Sequence, residues 1–120
     1  MVPLVSVFWI SGCRGSEFLD LVEDFRLRTR LTRAEFIVVD WSDSVEGQIT
    51  RDLILRSGVF DKVVFVDRPS CVYANWNRAI EASSGDFVVG LEDDVRLSPG
   101  VPQDWLDQAI ALMARDALDD

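Results

Sequence analysis

Histidine is absent from this 120-residue chain, and lysine occurs once, at Lys62. Without imidazole, the sequence cannot supply a histidine metal ligand, a Ser/His catalytic arrangement or a histidine general base. Cysteine occurs only at Cys13 and Cys71, too few for a disulfide framework. Since nothing in the sequence indicates export, we expect free, semi-buried thiols in a reducing cytoplasm. Any catalytic base in this chain is therefore expected to be a carboxylate.

Long apolar runs are missing as well. No segment approaches the ~18 residues that a membrane-spanning helix requires, and the apolar start lacks the basic region of a signal peptide. Acidic residues outnumber basic ones by 21 to 12, which gives a net charge of −9. This balance argues against nucleic acid or an anionic membrane as a partner. A few placed arginines or a divalent cation could still bind a phosphorylated ligand.

Short apolar runs alternate four times with helical periodicity. The predicted strands are residues 4–10, 35–40, 62–66 and 86–91. Four helices are predicted between and after them, with these inward-facing residues: Phe18, Leu21, Val22 and Phe25 in the first; Ile49, Leu53 and Ile54 in the second; Val72, Trp76, Ala79, Ile80 and Ser83 in the third; Trp105, Leu106, Ala109, Ile110 and Met113 in the last. Asp43 and Glu46 form a capping-box pattern before the second helix, and Gly58 and Gly85 are the predicted stops of the second and third.

This alternation predicts one α/β domain over residues 1–120. Strands that are apolar throughout are buried on both faces, as in parallel sheets covered by helices. We expect a three-layer sandwich with a mainly parallel, four-stranded, Rossmann-like sheet. Right-handed crossovers would bring the four strand-to-helix loops to the carboxyl edge, where ligands of such sheets bind. The loops expected there are residues 11–15, 40–44, 67–70 and 92–96.

Three acids, Glu92, Asp93 and Asp94, directly follow the fourth predicted strand. Carboxylates at such spacing repel each other unless a cation neutralises them. Oxygen ligands suit Mg²⁺ or Mn²⁺, and such an ion usually keeps positions open for substrate phosphates. A bound metal could then neutralise a departing diphosphate. A solvated acidic loop explains the same pattern.

Other polar residues are expected at this edge or near it. Asp40 ends the second strand, where it could accept hydrogen bonds from a base or ribose, or cap the next helix. Arg68 follows the third strand and is the best-placed cation for a phosphate. Asn77 and Arg78 lie on the third helix, where Arg78 could reach a phosphate or remain a surface residue. The spacing of Trp76 predicts a core position.

The sequence resembles the first half of family 2 glycosyltransferases, which have the GT-A fold. The similarity runs through VSVFWISG, EFIVVDWSD and SPG, and is carried mainly by NWNRAIEASSGDFVVGLEDDV, which contains the acidic motif usually called DxD. The resemblance implies a site for a nucleoside-diphosphate sugar, with a divalent metal and transfer of a hexosyl group. It places Ile10, Ser11 and Gly12 at the base and ribose, and Asp40 at the nucleotide. It makes Asp94 the metal ligand, and Glu92 and Asp93 contacts of the ribose, metal or diphosphate.

The chain also departs from the family pattern. Trp41 stands where a second acid contacts the nucleotide, so it could stack on a base or simply pack. The Pro-x-Tyr-Asn sequence expected after the first strand is absent. Family catalytic domains are about twice this length, and their second half carries the acceptor site and the catalytic base. We therefore expect a natural minimal form, a truncated form, or a half that pairs with another subunit.

Two other functions fit parts of the pattern. A receiver-like module would use Asp40 as phosphoacceptor, but receivers need an acidic pair after the first strand, and Ile10-Ser11-Gly12 supplies none. A non-catalytic relative that forms homo-oligomers would bury the apolar surface that four tryptophans could leave.

Overall fold

The computed structural model describes residues 2–41, 44–67 and 71–119, except for the side chains of Glu46 and residues 117–119. In this part of the chain, four strands alternate with four helices. Their bounds are β1 Val5–Ser11, α1 Ser16–Arg28, β2 Ala34–Asp40, α2 Val45–Ser57, β3 Lys62–Phe65, α3 Val72–Ala82, β4 Phe87–Glu92 and α4 Trp105–Asp119. The predicted alternation is confirmed, and each strand lies within one residue of its predicted bounds.

The four strands form one parallel sheet in the order β3-β2-β1-β4. The chain therefore moves outward from β1 through β2 to β3 and then returns to the other side of β1. At the carboxyl ends, Ser11 lies opposite Asp40, and Ile10 lies opposite Glu92. The strand order reverses between β1 and β4, and ligands of open α/β sheets bind at the carboxyl ends of strands at such a point.

Helices cover both faces of the sheet, which confirms the three-layer arrangement. Helices α1, α2 and α4 pack on one face around Trp9, and α3 packs on the other around Phe8 and Ile10. Because successive side chains of a strand point to opposite faces, both faces of β1 are apolar and all seven of its residues are buried. In the described residues, no helix is long and apolar enough to cross a membrane.

The inward face of α1 is the predicted one, whereas that of α2 differs. Ile49 is 54% exposed, so its predicted core position is wrong. The buried stripe of α2 instead contains Thr50, Arg51 and Ile54. Its polar members are satisfied, since Thr50 accepts the Gly15 N–H at 2.9 Å and Arg51 pairs with acids. Hydrophobicity alone could not identify a stripe that is half polar.

Helix α3 is likewise turned relative to the prediction. Val72 and Ile80 are each at least half exposed, while Asn75 and Ala79 are buried against the sheet. The helix ends at Ala82, three residues before the predicted stop at Gly85. In α4, Leu106 and Ile110 are buried as predicted, but Met113 is 57% exposed.

The ends of α2 and the cysteines add smaller corrections. Ser44 is the N-cap of α2 and accepts the Gly47 N–H at 3.1 Å. The predicted cap Asp43 lies outside the described residues. Gly58 ends this helix with a left-handed backbone (φ 65°), as predicted. Within the described residues neither cysteine forms a disulfide, and both are exposed rather than semi-buried. The Cys71 sulfur caps α3.

At the amino edge of the sheet, Glu35 on β2 connects β1, β3 and the segment before β4. Its Oε1 accepts hydrogen bonds from the Ser6 hydroxyl at 2.8 Å and the Ser84 N–H at 2.9 Å, and its Oε2 lies 3.1 Å from Lys62 Nζ. Burial works to raise the pKa of Glu35, but these hydrogen bonds and the Lys62 charge outweigh it and lower the pKa below 4.5. The ionised form of Glu35 therefore stabilises the fold.

Candidate functional site

A pocket of about 230 Å³ lies at the carboxyl edge of the sheet, between the ends of β1 and β4 and the start of α3. It is lined by Ile10, Gly12, Arg14, Trp41, Val72, Asn75, Glu92 and Asp93. Five of these residues are among those predicted from the sequence. A larger cleft of about 370 Å³ lies between α4 and the amino end of β1, but its lining is mainly apolar and contains none of the predicted site residues.

The three consecutive acids at the end of β4 differ in their surroundings. Glu92 Oε1 accepts the indole N–H of Trp76 on α3 at 2.9 Å. Asp93 Oδ2 accepts the backbone N–H of Gly12 at 3.0 Å. Asp94 is exposed. Within the described residues, no three acids or cysteines come together as a preformed metal site.

Arg14 in the loop after β1 is a pocket residue that the sequence analysis did not single out. Its Nε lies 3.1 Å from Asp93 Oδ1, and its side chain is 43% exposed. Asp93 thus binds both the backbone and the cation of the same loop. The position of Arg14 within residues 11–15, a loop expected at the carboxyl edge, could have indicated that it belongs to the site.

Trp41, the first residue after β2, packs its indole against Gly12. A side chain at Gly12 would place its Cβ 2.4 Å from the Trp41 ring, so only glycine permits this contact. The Trp41 N–H also donates to the Ser11 carbonyl at 3.2 Å. Trp41 remains 36% exposed, which leaves part of an aromatic surface open to the pocket.

Asp40 and Ser11 lie at the same edge but do not line this pocket. Asp40 is fully buried and its Oδ1 lies 3.2 Å from Arg51 Nε on α2. The Ser11 hydroxyl is also buried and has no hydrogen-bond partner within the described part of the chain. The structure therefore separates these two residues from Ile10, Gly12 and Trp41.

Arg51 joins the ends of β2 and β3. Besides Asp40, it donates to Asp67 Oδ1 at 2.9 Å and to the Val66 carbonyl at 2.7 Å, and its guanidinium lies 4.7 Å from the centre of the Phe65 ring. Burial works to lower the pKa of Arg51, but hydrogen bonds to Asp67 and Asp40 outweigh it and leave the pKa raised. Arg51, Asp40 and Asp67 therefore form a structural ion-pair cluster at the ends of β2 and β3.

Three further predicted residues, Asn77, Arg78 and Asp94, lie outside the pocket lining. Asn77 is exposed on α3. Arg78 donates a hydrogen bond to the side-chain oxygen of Asn75 at 2.9 Å. Asn75 is 1% exposed and lines the pocket, whereas Arg78 does not. Asn75 was not predicted, although it lies three residues after Val72 and four before Ala79 on one helical face. Arg68 lies outside the described residues.

Comparison by sequence gives no relatives: no protein-family model and no curated protein matches. Comparison by shape does find similar solved structures. The crystal structure of S. aureus TarS, a glycosyltransferase, matches 92% of this chain with a TM-score of 0.66 and 19% identity. The fold is glycosyltransferase-like. The chain spans 19% of the length of TarS.

The strand order of the sheet also bears on the receiver-like alternative. In receiver domains the order is 2-1-3-4-5, so β1 lies between β2 and β3. Here β1 lies between β2 and β4, and β3 is at the far edge. Asp40, the supposed phosphoacceptor, is 0% exposed. The receiver-like interpretation is therefore wrong.

Proposed function

We propose that this chain is the donor-binding part of a family 2-like glycosyltransferase of the GT-A fold, and that the pocket binds a nucleoside-diphosphate sugar. The position of the pocket carries the proposal. It lies beside β1 and β4, where the strand order reverses and where open α/β sheets bind their ligands. Its indole, guanidinium and amide suit a base and a diphosphate, and the Glu92 carboxylate suits a cation.

The base and ribose are proposed to bind at the end of β1. Ile10 and Gly12 line the pocket there, and Trp41 offers a partly exposed indole. An indole can stack on any base, because every base has a π-face. Since the carboxylate of Asp40 is paired with Arg51, we assign Asp40 to fixing the end of β2, and so the position of Trp41.

A divalent cation, Mn²⁺ or Mg²⁺, is proposed to bind at Glu92 and Asp94. Both oxygens of Asp93 are taken by Gly12 and Arg14. Within the described residues, Glu92 Oε2 and the Asp94 carboxylate have no such partner. These two carboxylates fit a magnesium-like ion, which commonly takes one or two protein carboxylates together with substrate phosphates. When bound, the ion would neutralise the departing diphosphate.

The proposed reaction transfers a hexosyl group to a hydroxyl of an unidentified acceptor. The bond from the anomeric carbon to the diphosphate oxygen breaks, the bond to the acceptor oxygen forms, and the acceptor proton passes to a base. None of the three acids of the motif is available to accept that proton, because Asp93 is ion-paired with Arg14 and Glu92 and Asp94 are assigned to the cation. We therefore propose that the acceptor site and the base belong to a further domain or to a partner subunit.

Calorimetry with uridine and guanosine diphosphates, in EDTA and in Mn²⁺, tests donor binding. We expect at least one of them to bind and Mn²⁺ to strengthen binding by about tenfold or more. Asp94→Asn should remove most of the Mn²⁺ effect. Asp52→Asn, which removes the same charge from an exposed position on α2, should behave like the wild type. Equal affinity of the wild type in EDTA and Mn²⁺ would contradict the metal site, and no binding at all would contradict the proposed function.

A second candidate, an oligomerising relative without catalysis, is favoured by one observation. Val72, Tyr73 and Ile80 on α3 are 50–82% exposed. Tyr73 and Ile80 are seven residues apart and therefore lie on one face of the helix, and apolar area exposed on one face can mark an interaction surface. Sedimentation velocity of the chain would distinguish a monomer from an assembly. An assembly that binds no nucleoside diphosphate would favour this candidate over the first.

A further inference from the structure

The ion pair between Arg14 and Asp93 distinguishes Asp93 from the other two carboxylates of the acidic motif, Glu92 and Asp94. Asp93 is 17% exposed and uses Oδ1 for Arg14 and Oδ2 for the Gly12 N–H. Arg14 comes from the loop after β1 and Asp93 from the loop after β4, so the pair ties together the two sides of the pocket. Asp93 is therefore already neutralised by the chain itself.

Arg14 has hydrogen-bonding capacity left over. A guanidinium carries five N–H donors, and the contact with Asp93 is made through Nε. Within residues 2–41, 44–67 and 71–119, its two terminal nitrogens have no partner. Because Nε faces Asp93, the position of the guanidinium is set by the carboxylate rather than by the long side chain alone. Such fixing lowers the entropy lost when a ligand binds.

The charges around the pocket indicate which kind of ligand the Arg14 guanidinium would bind. The chain carries a net charge of −9, which repels anions as a whole. Arg14 is the one basic residue among the described residues that line the pocket. Arginine binds phosphate oxygens through two parallel N–H donors. A diphosphate in this pocket would therefore meet a positioned cation on the β1 side.

We propose that Arg14 binds the diphosphate directly and that Asp93 acts as its positioning residue rather than as a metal ligand. This inference rests on the proposed function, since it names a further contact for the same ligand. It assigns two cationic contacts to the diphosphate: Arg14, which is part of the chain, and the divalent ion at Glu92 and Asp94. Binding in the absence of metal should then be weak and dependent on Arg14.

The test uses inorganic pyrophosphate and uridine diphosphate as probes, measured by calorimetry in EDTA and in Mn²⁺. Arg14→Ala should weaken binding of both probes by about tenfold or more in either condition. Arg14→Lys, which keeps the charge but loses the paired donors, should restore part of the affinity. Arg26→Ala is the matched control, because Arg26 is 40% exposed and pairs with a carboxylate at 3.3 Å; it should leave binding unchanged. Circular dichroism checks that each variant is folded, and Arg14→Gln replaces Arg14→Ala if that variant is not.

A double-mutant cycle tests the role of Asp93. Asp93→Asn keeps a side-chain oxygen that can accept the Gly12 N–H but removes the charge that holds the Arg14 guanidinium. If Asp93 acts through Arg14, the double variant Arg14→Ala/Asp93→Asn should bind no more weakly than Arg14→Ala alone. Additive losses would overturn the positioning role.

The outcomes separate this inference from the proposed function. Uridine diphosphate binding that is the same in Arg14→Ala and Arg26→Ala overturns the inference and leaves the function standing. Arg14-dependent binding of pyrophosphate without any binding of nucleoside diphosphate supports the inference and overturns the function. Absence of binding by the wild type overturns both.

Discussion

Two ion pairs lie at the carboxyl edge of this sheet, and they differ in burial. In the inner pair, Asp40 is fully buried and Arg51 has a side chain only 9% exposed. In the outer pair, Asp93 is 17% exposed and Arg14 is 43% exposed. The inner pair has its donors directed at the ends of β2 and β3, whereas the outer pair lines a pocket. The same two chemical groups thus hold the fold in one place and remain open to a ligand in the other.

The physical reason for the difference is solvation. A buried ion pair must be complete, because removing one partner leaves a charge in a medium that solvates it poorly. An exposed ion pair adds little to the stability of the fold, because water screens the attraction and solvates each charge by itself. The more buried an ion pair is, the more stability should be lost when it is broken. We therefore expect the largest loss for the inner pair, an intermediate loss for the Glu35–Lys62 pair and the smallest loss for the outer pair.

Breaking the inner pair should have the largest effect. Arg51→Met removes the cation that faces the buried Asp40 carboxylate, and we expect it to lower the free energy of unfolding by about 3–5 kcal/mol. Urea denaturation at neutral pH measures this loss. Arg56→Met, at an exposed position near the end of the same helix, should cost less than about 0.5 kcal/mol. A loss below 1 kcal/mol for Arg51→Met would contradict the structural role of the inner pair.

Glu35→Gln should have an intermediate effect, because the Glu35 side chain is 13% exposed. We expect a loss of about 1–3 kcal/mol at pH 7, from charge-assisted hydrogen bonds. The folded-state pKa of Glu35 lies below 4.5, so its stabilisation is complete above pH 4.5 and is lost as the pH falls through the folded-state pKa.

The pH profile of this variant gives an independent check. The difference in unfolding free energy between wild type and Glu35→Gln should be constant from pH 7 to about 5 and should shrink below pH 4.5. Glu81→Gln, at an exposed position on α3, serves as the control. A difference that grows as the pH falls would show that the sign of the pKa shift is wrong.

Breaking the outer pair should affect stability least. Arg14→Ala is expected to lower the free energy of unfolding by about 0–1 kcal/mol, while it weakens binding of pyrophosphate as described above. Thermal unfolding and calorimetry on the same samples measure both properties. A stability loss as large as that of Arg51→Met would remove the contrast between the two pairs.

Two glycines extend the comparison from charge to packing. Gly12→Ala would collide with the Trp41 ring, which is partly exposed and can move. We expect a stability loss below about 1 kcal/mol, less than overpacking a rigid core costs, and a weaker nucleoside diphosphate affinity, because Trp41 is displaced. Gly90→Ala would collide with Phe8 and Trp76 in the interior and should cost about 1–3 kcal/mol. Equal losses for the two variants would show that Trp41 is as tightly held as the core.

Much of the fold could be predicted from local patterns. The strands, the inward face of α1 and the carboxyl edge follow from periodicity, because burial repeats along a helix or strand regardless of distant partners. The faces of α2 and α3 could not be predicted in the same way. Arg51 and Asn75 can be buried because particular partners form hydrogen bonds with their polar groups. A prediction from hydrophobicity places such residues on the surface.

For the candidate site, the sequence indicated the edge and the acidic run but not how the acids are used. Glu92, Asp93 and Asp94 are neighbours in the chain, yet one bonds α3, one bonds the loop after β1 and one is exposed.

By itself, the sequence determined the alternation of elements, the parallel sheet and the set of loops that meet at one edge, because these depend on the local period of apolar residues. Only the tertiary structure decided that Asp40 belongs to a buried pair while Asp93 meets Arg14 and the Gly12 N–H, 81 positions away. Such pairings depend on strand order and register, which bring distant residues into contact and fix which face of the sheet each side chain occupies.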